Sequence, residues 1–242
     1  HPQQERIAVS LLNTLSLLAA SGVPTHWLLR LDADSDAVRD TLSFLKRSSI
    51  LQESIDGDKT IIHRLQGQVY RETYLSNQEK FSEARTHATT LLNEIDVDRI
   101  ENFEQQRQET RNLVEQIGTI TSQGYSRPLF SDPDFAALLT TTLRNATDLG
   151  MPQLALTLTD SVTRAGNTLG PDHPRTLTSR NNLAVAYESV GRLGEAIPLF
   201  EEVAADQVRV LGPEHPDTLF SRYNLAGAYR SAGRVGEAIP LY

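Results

Sequence analysis

Six histidines, His1, His26, His63, His87, His173 and His215, are the side chains here best suited to acid–base work or metal binding near neutral pH. No two of them stand in the H-E-x-x-H spacing that places paired imidazoles on one helical face, and none has a second ligand nearby in sequence. There is no cysteine, which excludes thiolate metal sites, disulfides and cysteine nucleophiles. The chain contains no G-x-S-x-G, no glycine-rich dinucleotide loop, no G-x-x-x-x-G-K-[ST] and no paired carboxylates in an apolar context. Neither a catalytic residue nor a metal site is expected within residues 1–242. What remains is recognition chemistry. Asn182 and Asn224 each carry a donor and an acceptor on one side chain, 42 residues apart. Phe220 and Tyr223 are large aromatics on a face otherwise expected to be solvated.

The elements that hold these residues are written twice. LGPDHPRT at 169 returns as LGPEHPDT at 211, and each copy runs on through NLA, AY and GR-x-GEAIPL. Of the 32 positions in the alignment of 169–200 with 211–242, nine differ. A decayed copy lies upstream, where Pro133, Gly150 and Ala155 precede Pro174, Gly191 and Ala196 by 41 residues each. A period of this length marks a stacked repeat array. Each unit predicts two helices. His173-Pro174 and His215-Pro216 open the first, with proline where its missing N–H is harmless and the histidines as cap or packing residues. Leu177, Leu183, Ala184 and Tyr187 recur at helical spacing, and Gly191 ends the helix. Gly194-Glu195 opens the second helix, in which Ala196, Leu199, Phe200 and Val203 form the apolar stripe and Pro198 is placed near the first turn. Four of the substituted pairs, Thr178/Phe220, Asn181/Tyr223, Val185/Gly227 and Glu188/Arg230, fall on one stripe of the first helix.

The helical hairpin with L-A-x-x-Y followed by G-R-x-x-E-A-x-x-L-[FY] resembles tetratricopeptide repeats, and its length and LGPxHPxT connector resemble the kinesin-light-chain type. The resemblance covers about 131–242 and implies an α-α superhelical solenoid of about three units, the last truncated. In that family the first helix of each unit lines a concave groove. The resemblance therefore implies a peptide or protein ligand against Thr178, Asn181, Asn182, Val185, Glu188, Phe220, Tyr223, Asn224 and Arg230, with Asn182 and Asn224 holding an extended backbone. On this view, replacing both asparagines by alanine weakens binding and leaves melting unchanged. The competing expectation is a merely solvated stripe.

Residues 1–75 predict helices over Ile7–Ala20, after Pro24, from a cap at Asp34 or Ser35, and over Gln66–Leu75. SILQESI and TIIHRL flank Asp56-Gly57 as a β-hairpin. Three helices and a wing make a winged-helix arrangement. LLNTLSLLAASGVPTHWLL, LSFLKRSSIL and IIHRLQGQVYRE resemble the winged-helix subdomain of bacterial STAND/NB-ARC signalling regulators. That resemblance implies an upstream nucleotide-binding domain taking ADP or ATP in a longer chain, with His63 sensing the nucleotide's diphosphate. No nucleotide cofactor is expected in residues 1–242 themselves.

Residues 76–130 predict a helical spacer or degenerate repeat, with Ile100, Phe103, Leu113, Ile117 and Ile120 as an apolar seam and GYSRPLFSDPD from Gly124 as a boundary loop. The net charge of −8 spreads over all three segments, so no basic face is offered to phosphate backbones. The would-be recognition helix DAVRDTLSFLKRSS holds two acids against three bases, which argues against DNA. Neither a signal peptide nor a membrane span is evident, and a cytoplasmic setting is expected. The ends at His1 and Tyr242 read as cuts in a longer chain. The sequence thus points to a mostly all-α sensor fragment, with repeats that bind a partner and a winged helix that relays to a nucleotide switch. The alternatives are a static tetratricopeptide adaptor and a DNA-binding transcription regulator.

Overall fold

The computed structural model describes residues 2–122 and 128–241. Two compact units partition it: His1–Arg99 with Glu115–Gln123, and Ile100–Val114 with Gly124–Tyr242.

The first unit runs α1 (Pro2–Leu17), β1 (Val23–Pro24), α2 (Thr25–Leu28), α3 (Ser35–Arg47), β2 (Leu51–Glu53), β3 (Lys59–Ile62), α4 (Arg64–Thr73) and α5 (Gln78–Asn93). Helix α1 is the hub, packing on α3, α4, α5 and β3 through buried Ile7, Leu11 and Leu15. Asp34 caps α3, its carboxylate accepting from the Ala37 N–H at 3.0 Å. The hairpin is present, but the sheet has three antiparallel strands in the order β1-β3-β2. The extra strand joins through Val23 opposite Thr60 and Pro24 opposite Lys59. Two residues carry no period to read, and proline is tolerated there because β1 is an edge strand. Gly22 precedes it with φ 106°, and a Cβ at that position would lie 2.7 Å from Ile61 Cγ1, so only glycine fits.

Helix α6 (Phe103–Ser122) belongs to both units, its early residues in the second and its late residues in the first. Within the first unit, fully buried Gln116 splints the turn after α1. Its Oε1 accepts from the Ala19 N–H at 2.7 Å and its Nε2 donates to the Gly22 carbonyl at 3.0 Å. Of the expected seam, Leu113, Ile117 and Ile120 are buried, whereas Phe103 is exposed beneath the Arg107 guanidinium. Residues 124–127 of the expected boundary loop lie outside the described residues. Its later part is a 3₁₀ turn, Leu129–Ser131, that buries Leu129 and Phe130.

The second unit stacks three helical hairpins: α7 (Pro133–Asp148) with α8 (Pro152–Leu156) and α9 (Thr159–Leu169), α10 (Pro174–Ser189) with α11 (Leu193–Leu211), and α12 (Pro216–Ser231) with α13 (Val235–Ala238). Helix α10 packs on α7, α8, α9 and α11, and α12 packs on α11 and α10. Fully buried Ala184, Ala196, Ala226 and Ala228 let the helices approach closely around Phe200. Gly150, Gly191 and Gly233 turn each hairpin at φ 74°, 76° and 75°, the left-handed conformation glycine adopts without a Cβ penalty. In the first hairpin the second helix is interrupted between α8 and α9. There the Thr157 and Thr159 hydroxyls each bond a carbonyl three residues back, at 2.7 Å, in competition with the helical ladder. Pro198 lies six residues into α11 rather than in its first turn, and the i−4 carbonyl it leaves unbonded belongs to exposed Gly194.

Candidate functional site

The connector motif is a helix start. His173 Nδ1 accepts from the Arg175 N–H and His215 Nδ1 from the Asp217 N–H, both at 3.2 Å, with proline at the next position. In the decayed unit Asp132 does the same for α7, accepting from the Asp134 N–H at 2.9 Å. These histidines are therefore committed as caps. A second device spans the turn of the second and third hairpins. The Arg192 guanidinium lies 4.7 Å from the Tyr187 ring and donates to Glu195, and Arg234 lies 4.4 Å from Tyr229 and donates to Glu237. Burial and the hydrogen bond to Glu201 at 2.7 Å push the Tyr229 phenol up to about 12. Arg234 holds the exposed Glu237 carboxyl below the usual carboxylate range. The clamp explains why AY and GR-x-GE repeat together, a coupling that spacing alone does not reveal. In the first hairpin Ala146, Met151 and Leu154 stand at these positions and no clamp forms.

The stripe of substituted residues divides in two. At roughly 100° per residue, Thr178, Asn182 and Val185 cluster on one line, while Asn181 and Glu188 lie some 60–80° round the helix. That flank faces α12. Asn181 is buried, 3 % exposed, and its Oδ1 accepts from Ser221 Oγ at 3.1 Å and from Asn224 Nδ2 at 3.4 Å. Glu188 accepts from Ser231 Oγ at 3.1 Å. On the opposite flank, the Ser179 hydroxyl meets that of Thr140 at 2.7 Å, and Asn182 Nδ2 donates to the Thr140 carbonyl at 3.4 Å. A polar ladder thus stitches α7 to α10 to α12. Asn181 departs from the open surface expected of it, because its side chain is consumed in packing. Asn182 and Asn224 occupy equivalent positions, and each uses its amide N–H on the preceding unit. Beside the expectation that their loss leaves melting unchanged, each side chain makes one long hydrogen bond, at 3.4 Å, to the preceding unit.

The remaining candidates stay accessible. Thr178 and Val185 are half-buried, and Arg230 is exposed. Phe220 is 58 % exposed and Tyr223 61 %. Phe220 stands where Thr178 stands in α10, on the accessible line in both units. Tyr223 stands at the register of buried Asn181. An added Cβ at Gly227, between Tyr223 and Arg230, would touch nothing within 4 Å, so no packing contact requires this helical glycine.

In the first unit, His63 caps α4 with its backbone; its side chain is exposed and makes no cap hydrogen bond. The unit also holds a cleft of about 730 Å³ whose lining includes Arg6, Asp32, Glu83, His87 and Glu94. Arg6 pairs with Asp32 at 2.8 Å. His87 closes a polar chain in which Tyr70 donates to buried Asn13 at 2.7 Å and Asn13 Nδ2 faces His87 Nδ1 at 3.3 Å. Sequence spacing gave no signal for this chain, since its members are up to 74 residues apart. Among the described residues no helix is long and apolar enough to cross a membrane.

Residues 176–217 match the family model described as tetratricopeptide repeat. No curated protein matches the chain. Among solved structures it is similar to two crystal structures of nearly identical TPR-like repeats from a Podosopora anserina protein assigned as a kinesin light chain. One is a point variant at 25 % identity and TM-score 0.48, covering 89 % of this chain and 88 % of that one. The other has 23 % identity and TM-score 0.46, covering 89 % of each.

Proposed function

We propose that the accessible line of α10 and α12 binds an extended peptide segment of a partner protein, as tetratricopeptide repeats generally do. The observation that carries this reading is Phe220, a large apolar ring left 58 % exposed beside Asn224, on a helix where Tyr223 at 61 % and Leu219 at 46 % are exposed as well while Leu225 and Tyr229 are buried. Asn182 and Asn224 each spend one amide N–H on the ladder, while their Oδ1 atoms have no partner among the described residues and are suited to accept from a peptide backbone. A peptide selected from a random display library against this chain supplies the test. Calorimetric titration of the Asn182→Asp/Asn224→Asp variant, which keeps acceptors but loses the N–H groups, retains binding if the acceptor edge is the one used. Loss as complete as in the alanine pair contradicts it.

We further propose that the first unit is a winged helix serving an upstream nucleotide switch. The order α1-β1-α2-α3-β2-β3 and the antiparallel three-stranded sheet support the winged-helix reading, and the free His63 side chain at the start of α4 supports the nucleotide-sensing one. In a full-length chain, His63→Ala is expected to speed ADP release, and an unaltered off-rate contradicts the role. The static adaptor is favoured if the upstream sequence lacks a phosphate-binding loop.

A further inference from the structure

A cleft of about 500 Å³ opens in the second unit where α9, α10 and α11 meet, a volume typical of small-molecule pockets. Its wall is Val162, Gly166, Pro171, Leu183 and Leu199, with Thr176 on its floor and Thr163 and Asn167 at its exposed rim. The one charged residue among those lining it is Arg180, and this guanidinium is already neutralised by Glu202 and by Asp206 at 3.2 Å. The lining therefore offers no free charge to a ligand, and burying an ionised group there would go uncompensated. The buried Thr176 hydroxyl has no partner among the described residues, but its counterpart Thr218 is also buried and unpartnered, so this is a property of the repeat and not of the cleft. The lining differs from its counterpart in the next unit: Gly166 and Asn167 stand where that unit has Val208 and Arg209, and the seam follows the interrupted helix of the first hairpin.

We infer that this cleft is a binding site for a small, uncharged, predominantly apolar molecule, separate from the α10/α12 line. The probe is prodan, a neutral naphthalene dye whose emission shifts on leaving water, titrated with the intact chain. One saturable site is expected. Thr163→Trp fills the cleft from an exposed position and is expected to weaken dye binding by roughly tenfold or more, with an unchanged urea midpoint. Gly166→Val installs the next unit's own residue; because its Cβ would approach Thr176 Cγ2 to 3.1 Å, it serves as the second variant and should act the same way if it folds. Phe220→Ser should leave dye binding intact, which separates this site from the peptide surface. No saturable signal, full affinity in Thr163→Trp, or a loss that follows Phe220→Ser instead would each overturn the assignment.

Discussion

Asn181 of α10 and Ser221 of α12 are joined by a 3.1 Å hydrogen bond between side chains 3 % and 1 % exposed. The bond links the first helices of neighbouring units and makes a polar side chain part of the stacking interface. Asn181→Ala should destabilise the chain by about 1–3 kcal/mol, because it strands the buried Ser221 hydroxyl. Urea denaturation checks this; a loss of a few tenths would mean the hydroxyl finds another partner.

Asn182 and Asn224 contribute less. Their N–H···O distances are both 3.4 Å, at the long end of the range, and both side chains are only half-buried. The double alanine variant should lose about 1 kcal/mol in total, near the low end for two hydrogen bonds. The matched comparison is Thr178→Ala, whose side chain returns only to its own helix, at the Pro174 carbonyl. Its midpoint should move by less than that of the double variant.

The capping histidines make a direct substitution test. His173→Ala should cost about 1 kcal/mol, the usual value of a lost N-cap. His173→Asp should restore it, because Asp132 already performs this role for α7 and a carboxylate suits the positive end of a helix. Thermal unfolding of the two variants side by side checks it. Equal losses would show that the imidazole acts through packing and not as an acceptor.

The pH dependence has two edges. Tyr229 has a folded-state value raised to about 12, above its ordinary 10. Its contribution is full below pH 10 and is lost as pH rises from there towards 12, because the unfolded chain ionises first. Tyr229→Phe should flatten that alkaline limb in urea midpoints. At the acid end, Arg209 holds the exposed Asp172 carboxyl below its usual range through charged hydrogen bonds. That contribution is present above the carboxylate range and fades as pH falls through it, and Asp172→Asn should remove it. Since the pair is solvent-exposed, added salt should shrink the acid effect.

The repeat was legible because stacking constrains the same letters every 42 residues: buried Ala184 and Ala226, Leu183 and Leu225, and the turn glycines at 191 and 233. The cap at Asp34 and the hairpin at Asp56-Gly57 were legible from local turn chemistry. Other features lie beyond local pattern. Strand β1 has two residues and exists only through its pairing with β3. The burial of Asn181 depends on a modest rotation about the helix that places it under α12, although a coarse stripe at spacings of 3 and 4 groups it with Thr178. The interruption between α8 and α9 rests on two threonine hydroxyls whose choice of backbone partner no periodicity announces. Gln116 reaches Ala19 and Gly22 across more than ninety residues.

The central claim is that the accessible line of α10 and α12 is a peptide-binding surface, and Phe220 tests it most directly because it is exposed on that line. The measurement is the dissociation constant, by isothermal titration, of a library-selected peptide for the parent chain and for Phe220→Ser, with urea midpoints taken on both. The expected result is an affinity loss of roughly tenfold or more, as for an aromatic anchor, at an unchanged midpoint. Equal affinity in the two proteins, at equal stability, would contradict the claim.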